Sequence, residues 1–126
     1  METIYTKNAP DAIGPYSQAV KVGDFLFTSG QIAINPETSQ VEATDISSQT
    51  KQVMENLKAV LTEAGTDFSH VIKTTCFLKD VAKDFAAFNE AYAEALGDAK
   101  PARSCVGVAD LPKGVLVEVE VVAALS

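Results

Sequence analysis

The chain has 126 residues, with 10 basic and 17 acidic side chains and a formal net charge of −7. That length fits a single domain, residues 1–126, which is large enough to bury a core of its own. The acidic balance argues against binding to a nucleic-acid backbone or an anionic membrane, because both require clustered lysine and arginine. All the basic residues are lysines except one arginine, Arg103.

The N-terminal residues contain no basic segment followed by an apolar stretch, so the sequence predicts no secretory signal. The longest apolar run, residues 121–125, is far shorter than the roughly 20 residues of a membrane span. Cys76 and Cys105 are too few for a disulfide framework and form no Cys-x-x-Cys pair. A cytoplasmic protein with two free thiols is therefore expected.

The first third of the chain is predicted to form strands and turns. A short strand is expected near residues 4–7, and a tight hairpin is expected to join strands over residues 17–22 and 25–29. Residues 35–39, which include an Asn-Pro pair, are expected to form a loop.

Two amphipathic helices follow from apolar residues that recur with a period of 3.6. The first is predicted over residues 45–64 and is ended by Gly65. The second is predicted over residues 81–96, with Asp80 as its N-cap and a glycine directly after it.

Three further strands are predicted over residues 71–78, 102–108 and 115–123, which are rich in β-branched residues and alternate in character. The predicted order is therefore β-β-β-α-β-α-β-β. Two helices cover only one face of such a wide sheet, so the other face must be solvated or covered by something else.

The strand around Arg103 places that residue, Cys105 and Gly107 on one face and smaller residues on the other. The small face suits packing beneath the helices, so Arg103 is predicted to point to the uncovered face. In the last strand Glu118 and Glu120 lie opposite a face of valines. One arginine and two carboxylates are therefore expected on the same uncovered surface.

Two interpretations of this charged group remain open from the pattern alone. The first is a cross-strand ion pair between Arg103 and Glu118 or Glu120, worth about 0.2–1 kcal/mol if exposed. The second is an anion site, because the planar guanidinium fork binds a carboxylate through two parallel hydrogen bonds that lysine cannot reproduce.

Two other stretches place polar groups in unusual positions. A Gly-Pro pair directly before Tyr16 holds its phenol at a defined place, although a half-buried tyrosine also fits the pattern. Ser29 and Gly30 can present a hydroxyl and a backbone N–H to a ligand, and a simple bulge at a sheet edge is the alternative.

Other chemistry is not indicated by the sequence. No glycine-rich phosphate loop occurs, and one histidine with two distant cysteines makes a zinc site unexpected. His70 follows a turn and is interpreted as a surface or capping residue rather than as part of a catalytic triad.

The chain resembles the RidA/YjgF (Rid) family in an ordered set of motifs that covers effectively its whole length. These motifs are Gly-Pro-Tyr-Ser-Gln-Ala at residues 14–19, Thr-Ser-Gly-Gln at 28–31, Pro-Ala-Arg-Ser at 101–104 and Val-Glu-Val at 117–119. Residues 89–92, Asn-Glu-Ala-Tyr, are similar to part of the family's second helix.

The resemblance implies a chorismate-mutase-like α+β fold, with one mixed sheet of about six strands and two helices on one face. It also implies a homotrimer in which the three sheets form a central barrel and ligands bind in clefts between subunits. The RidA branch hydrolyses 2-iminobutanoate and 2-iminopropanoate, which arise from pyridoxal-phosphate-dependent dehydratases, to 2-oxo acids and ammonia. No metal or organic cofactor is implied.

The resemblance also implies roles for individual residues. Arg103 matches the position that binds the substrate carboxylate, and Glu118 matches the acidic residue that positions or activates water. The resemblance further implies that the site is lined by Tyr16, Ser29, Gly30, Cys105 and Pro112, with Asn89 and Tyr92 further out.

Three other functions are compatible with this fold. One is a non-catalytic trimer that binds 2-oxo acids in the same cleft, and another is chaperone-like holding of unfolded proteins. The third is an endoribonuclease or translation inhibitor, which the net charge of −7 and the single arginine disfavour.

Overall fold

Eight strands, two long helices and two short 3₁₀ turns make up the chain, and the computed structural model describes all 126 residues. The strands are β1 (Glu2–Ile4), β2 (Ala19–Val22), β3 (Phe25–Thr28), β4 (Ile34–Asn35), β5 (Gln40–Val41), β6 (Val71–Leu78), β7 (Ala102–Gly107) and β8 (Val117–Ala124). The helices are α1 (Ile46–Ala64) and α2 (Val81–Leu96), and the 3₁₀ turns are Phe68–His70 and Pro112–Gly114.

Six strands form one mixed sheet in the order β1-β2-β3-β8-β6-β7. Only β6 and β7 are parallel, and α2 provides the crossover between them. The first strand lies at Glu2–Ile4 rather than near residues 4–7. The predicted loop over residues 35–39 is the turn of a small separate hairpin formed by β4 and β5. The α+β class and the sheet of six strands with two helices are confirmed.

Both predicted helices are present. Asp80 is the N-cap of α2 as predicted, and Asp45, predicted as the first residue of the first helix, is the N-cap of α1. The Asp45 carboxylate accepts a hydrogen bond from the Ser48 N–H at 3.2 Å, and Asp80 accepts one from the Lys83 N–H at 3.1 Å. Gly65 follows α1 with φ of 84°, a left-handed conformation that costs glycine little.

The core lies between the two helices and one face of the sheet. Val117, Val119 and Val121 of β8 are buried there, against side chains such as Leu57 and Phe88 of the helices. Glu118 and Glu120 lie on the opposite face of β8, as the alternation predicted.

The prediction that Arg103 points to the uncovered face is wrong. In the ladder between β6 and β7, Arg103 pairs with Thr74 and Cys105 pairs with Cys76. Thr74 and Cys76 are fully buried beneath the helices, so Arg103 and Cys105 lie on the helix side of the sheet. The arginine and Glu118 therefore occupy opposite faces.

The physical reason is that β7 is the edge strand of the sheet. The helix layer only partly covers this edge, so the long Arg103 side chain packs along α2 and keeps its charged end near solvent. The small residues expected beneath the helices, Ala102, Ser104 and Val106, are exposed on the other face.

We call the sheet surface opposite the helices the open face, and no element of the chain covers it. It carries apolar side chains that are nearly half exposed, namely Val22, Phe25 and Phe27, each 46% exposed, and Val106, 44% exposed. Val22, Phe25 and Phe27 are neighbours on β2 and β3, whereas Val106 lies on the far edge strand, beyond β8 and its two carboxylates. No helix combines the length and the apolar character that crossing a membrane requires.

Candidate functional site

Arg103 is held against one face of α2. Its Nη1 donates a hydrogen bond to Oδ1 of Asn89, and its Cζ lies 5.0 Å from the centroid of the Tyr92 ring and 5.7 Å from that of Phe85. Positions 85, 89 and 92 are spaced by four and three residues, so the helix presents them on one side.

No carboxylate contacts the Arg103 guanidinium. The one ion pair in the structure joins His70 and Asp67 at an exposed turn, so the proposed cross-strand pair with Glu118 or Glu120 does not form. A half-buried arginine without an acidic partner keeps most of its five N–H donors available for a ligand.

The Tyr92 side chain is held in place by a hydrogen bond to the sheet beneath α2. Only 6% of it is exposed, and its hydroxyl shares a 2.7 Å hydrogen bond with Oγ1 of the fully buried Thr74. Burial raises the pKa of the Tyr92 phenol, so the group stays neutral.

Cys105 lies two residues beyond Arg103 and beside the buried Cys76 in the neighbouring strand. Burial raises the pKa of the Cys105 thiol, and it raises the pKa of Cys76 to about 11, so neither is a thiolate at neutral pH. The Val108 N–H donates to the Leu78 carbonyl at 2.9 Å. Alternate N–H groups of a parallel strand point the same way, so the Cys105 N–H points outward from the edge.

A second group of predicted residues lines a cavity of about 370 Å³ at the open face. This group consists of Tyr16, Ser29, Gly30, Pro112 and Glu118. Arg103 is absent from its lining, and lines instead a separate recess of about 270 Å³ together with Asn89 and Tyr92.

Ser29 and Gly30 lie where the chain leaves β3. The Ser29 hydroxyl donates to the Ser17 carbonyl at 2.6 Å, so it retains only lone pairs for a ligand. The Gly30 N–H has no partner within the chain, which leaves the expected backbone donor available. A Cβ at Gly30 would lie 2.8 Å from Cδ of Glu118, so only glycine lets that carboxylate approach the backbone.

The Glu118 carboxylate is half-buried between Gly30 and the rest of the cavity. Burial raises the pKa of the Glu118 carboxyl above its usual value, and the nearby Glu120 raises it further. A carboxylate of this kind is a better proton acceptor near neutral pH than an exposed one.

Gln18 supports the cavity, and the sequence analysis missed its role. It is buried, accepts a hydrogen bond from the Thr6 N–H at 2.7 Å and donates to the carbonyls of Thr6 and Pro10 at 3.0 and 2.8 Å. These bonds hold the segment before Tyr16 in place as one wall of the cavity. A glutamine directly before β2, beside the buried Ala19, was the available signal.

The two groups of residues do not meet within one chain. Arg103 lies on β7 and Glu118 on β8, the two strands that flank β6 and are therefore roughly 9–10 Å apart. Their side chains point to opposite faces of the sheet. A molecule the size of a four-carbon acid cannot contact both across a single sheet.

His70 does not form a catalytic triad. Its Nδ1 lies 3.1 Å from Oδ1 of Asp67 and 3.2 Å from Oγ of Ser69, so both neighbours contact the same ring nitrogen. A triad needs the two partners on different nitrogens. The structure also contains no group of three or more His, Cys, Asp or Glu side chains placed to hold a metal ion.

Comparison with known proteins gives the same fold and family. A family model described as Endoribonuclease L-PSP matches residues 6–125. A RutC family protein of Pyrococcus horikoshii is 55% identical over 122 residues, covering 97% of this chain and 96% of the relative.

Two solved structures have nearly the same backbone. RidA from the Antarctic bacterium Psychrobacter sp. has a TM-score of 0.93 and 43% identity, covering 98% of this chain and 99% of that one. E. coli TdcF, solved with bound serine, has a TM-score of 0.93 and 42% identity, and each chain is covered completely. By sequence, motif order and fold, the chain belongs to the RidA/YjgF (Rid) family, whose matching family model carries the description Endoribonuclease L-PSP.

Proposed function

We propose that this protein is a 2-iminobutanoate/2-iminopropanoate deaminase, which hydrolyses reactive 2-imino acids to 2-oxo acids and ammonia. The observation that carries the proposal is the state of Arg103, which is half-buried, held by α2 and free of any acidic partner. A guanidinium in this state suits bidentate binding of a small carboxylate.

The proposal includes a homotrimer in which each active site lies between two subunits. One subunit supplies Arg103 and the Cys105 N–H, and its neighbour supplies Glu118 and the Gly30 N–H. Two observations support this arrangement: the two half-sites lie on opposite faces of one sheet, and the open face carries exposed apolar side chains that no element of the chain covers. TdcF holds serine, an α-amino acid whose carboxylate is of the class proposed for Arg103.

The reaction needs positioning more than a strong nucleophile, because free imines already hydrolyse in water. Arg103 holds the carboxylate and thereby fixes C2 of the substrate. Glu118 orients a water and accepts one of its protons as the oxygen adds to C2 of the protonated imine, and the C=N π electrons pass to nitrogen, which becomes a neutral amine. Glu118 then returns that proton to the amine, the C–N bond breaks with its electrons leaving on ammonia, and the carbinolamine hydroxyl proton passes to the freed Glu118 carboxylate and on to solvent as C2=O forms, leaving the 2-oxo acid.

The remaining lining residues fit supporting roles in this scheme. Tyr16 and the free N–H of Gly30 supply donors on the Glu118 side, Ser29 supplies an acceptor, and Pro112 closes the cavity. The raised pKa of the Cys105 thiol argues against a thiolate nucleophile, so its backbone is the part that contacts substrate. The scheme uses no metal or organic cofactor. The free thiols of Cys76 and Cys105 suit a protein of the reducing cytoplasm.

A coupled assay tests the proposal. Threonine dehydratase is run with threonine and semicarbazide, which traps the imine, and release of 2-oxobutanoate is followed after this protein is added. The wild-type protein should accelerate release, and Arg103→Ala should abolish the effect while the variant remains folded and trimeric. Full activity of Arg103→Ala would exclude the proposed role of the guanidinium.

The same preparations discriminate the other functions. A crystal soaked with 2-oxobutanoate that shows the ligand at Arg103, without any turnover of imines, would favour a binding protein. Cleavage of RNA by the purified protein, lost in cleft variants, would favour the ribonuclease function that the family description names.

A further inference from the structure

We propose that Tyr92 and Thr74 are positioning residues that hold the Arg103 guanidinium in the orientation that binds the substrate carboxylate. This inference rests on the proposed function, because it assigns the carboxylate to Arg103. Neither residue needs to contact the substrate, and both act through the arginine.

The geometry gives the guanidinium a defined plane. The Tyr92 ring lies nearer to Cζ of Arg103 than the Phe85 ring does, at 5.0 Å against 5.7 Å. Tyr92 is 6% exposed whereas Phe85 is 37% exposed, so the cation–π contact with Tyr92 is the better desolvated and the stronger of the two. The Asn89 Oδ1 accepts from only one guanidinium nitrogen, Nη1.

The Tyr92 ring is itself fixed by Thr74. Thr74 is the residue of β6 that pairs with Arg103 in the ladder, so its side chain lies next to the base of the arginine side chain. The 2.7 Å bond between the two hydroxyls sets the angle of the ring over the guanidinium. Thr74 of β6 therefore holds the Tyr92 ring through the hydroxyl hydrogen bond, and the face of that ring holds the guanidinium of Arg103.

This support replaces the carboxylate that commonly holds a partly buried arginine. An acidic partner would neutralise the cation and compete with an anionic substrate, whereas an aromatic face orients the cation and leaves its N–H edge free. A purely structural role for the Thr74–Tyr92 bond is the alternative, in which the bond only satisfies two buried hydroxyls.

The double variant Thr74→Val/Tyr92→Phe distinguishes the two roles. Removing both hydroxyls together leaves only the weak Cys76 thiol donor, 3.9 Å from Oγ1 of Thr74, without its partner, so the effect on stability should be small. If the pair positions Arg103, KM for the 2-imino acid should rise about 3- to 10-fold while kcat changes less, because carboxylate binding is shared by the ground and transition states. Thr74→Ser, which keeps the hydroxyl, should retain a KM close to that of wild type.

Thr66→Val is the matched control. Thr66 is also buried, and its hydroxyl donates to the Ala124 carbonyl at 2.8 Å, but it lies outside the surroundings of Arg103. This control should lower stability and leave KM unchanged. An unchanged KM in the double variant, or an equal rise in Thr66→Val, would overturn the positioning role.

A second measurement does not depend on turnover. Because Arg103 is the single arginine, its Nε–Hε group gives one assignable arginine signal in an NMR spectrum of the intact protein. Its order parameter should fall in the double variant and persist in Thr74→Ser and Thr66→Val. If wild type neither binds 2-oxobutanoate nor hydrolyses imines, the proposed function fails. The order parameter still decides whether Thr74 and Tyr92 fix Arg103. An unchanged order parameter in the double variant would refute their positioning role.

Discussion

Arg103 is a half-buried cation that no carboxylate neutralises, although the chain carries 17 acidic residues. Its charge is offset instead by the carbonyl of Asn89 and by two aromatic faces. The guanidinium therefore keeps free N–H groups in a fixed plane, and its shape should matter as much as its charge.

Arg103→Lys tests whether shape matters. The variant keeps the positive charge but loses the planar fork and the stacking on Tyr92, so kcat/KM should fall about 10- to 100-fold in the coupled deaminase assay. Lys58→Arg, an opposite exchange on the exposed side of α1, should have no effect. An Arg103→Lys enzyme with wild-type kinetics would mean that charge alone suffices.

Glu118 is the complementary case, a carboxylate whose surroundings favour its protonated form. In its proposed role as the catalytic base it must be ionised, so wild-type kcat/KM should fall as the pH is lowered through the raised pKa of Glu118. Glu118→Gln should lose about 10²- to 10⁴-fold in activity at pH values where Glu118 is ionised in wild type, and its own activity should lack the fall at lower pH.

The same raised pKa predicts an effect on stability. A carboxyl whose pKa is higher in the folded state contributes stability below its unfolded pKa and loses that contribution as the pH rises through the folded value. At pH 7 the Glu118→Gln variant should therefore have a higher Tm than wild type, and acidification should narrow the difference. A lower Tm for the variant at pH 7 would contradict the burial penalty.

At the scale of elements, α2 is the part of the chain that builds the arginine site. It connects the parallel strands β6 and β7, and one side of it carries Phe85, Asn89 and Tyr92 over the edge of the sheet. The N-cap Asp80 sets where this helix begins, and so contributes to the placement of those three side chains.

Asp80→Ala should lower the free energy of unfolding by about 1 kcal/mol, because the Lys83 N–H loses its acceptor. Urea denaturation should show a lower midpoint with an unchanged m-value. Asp80→Asn keeps a side-chain acceptor and should retain most of the stability. Equal losses in the two variants would show that charge, rather than capping, is responsible.

At the scale of the whole molecule, the two groups of candidate site residues face in different directions. The recess with Arg103 lies at the edge of the sheet beneath α2, and the cavity with Glu118 opens on the other side. In the proposed homotrimer, symmetry brings the recess of one subunit against the cavity of the next and repeats that contact three times.

Mixing two inactive variants tests this arrangement. When Arg103→Ala and Glu118→Gln subunits are co-refolded in equal amounts, random trimers should recover about a quarter of wild-type activity, because sites form with both wild-type residues. Each variant refolded alone should stay inactive. Mixed trimers seen by native mass spectrometry without any recovered activity would place both residues of a site in one chain.

The helices and most of the strands were predictable because their signals are local. The apolar period along both segments, the N-cap Asp80 and the terminal Gly65 indicate the two helices without reference to the rest of the fold. Alternation in β8 correctly separated the buried valines from Glu118, since that strand lies in the middle of the sheet with one face fully buried.

The sequence by itself determined which residues share a face, which residue types are present and, through its ordered motifs, the family. Only the tertiary structure decided which face of β7 lies beneath α2, because a period of two assigns residues to faces without saying which face is which. At an edge strand the apolar face need not be the one that packs beneath the helices. In β7, pairing with Thr74 and Cys76 sets the direction of Arg103. That direction puts the single arginine and Glu118 on opposite faces of the sheet, so one chain does not bring them together.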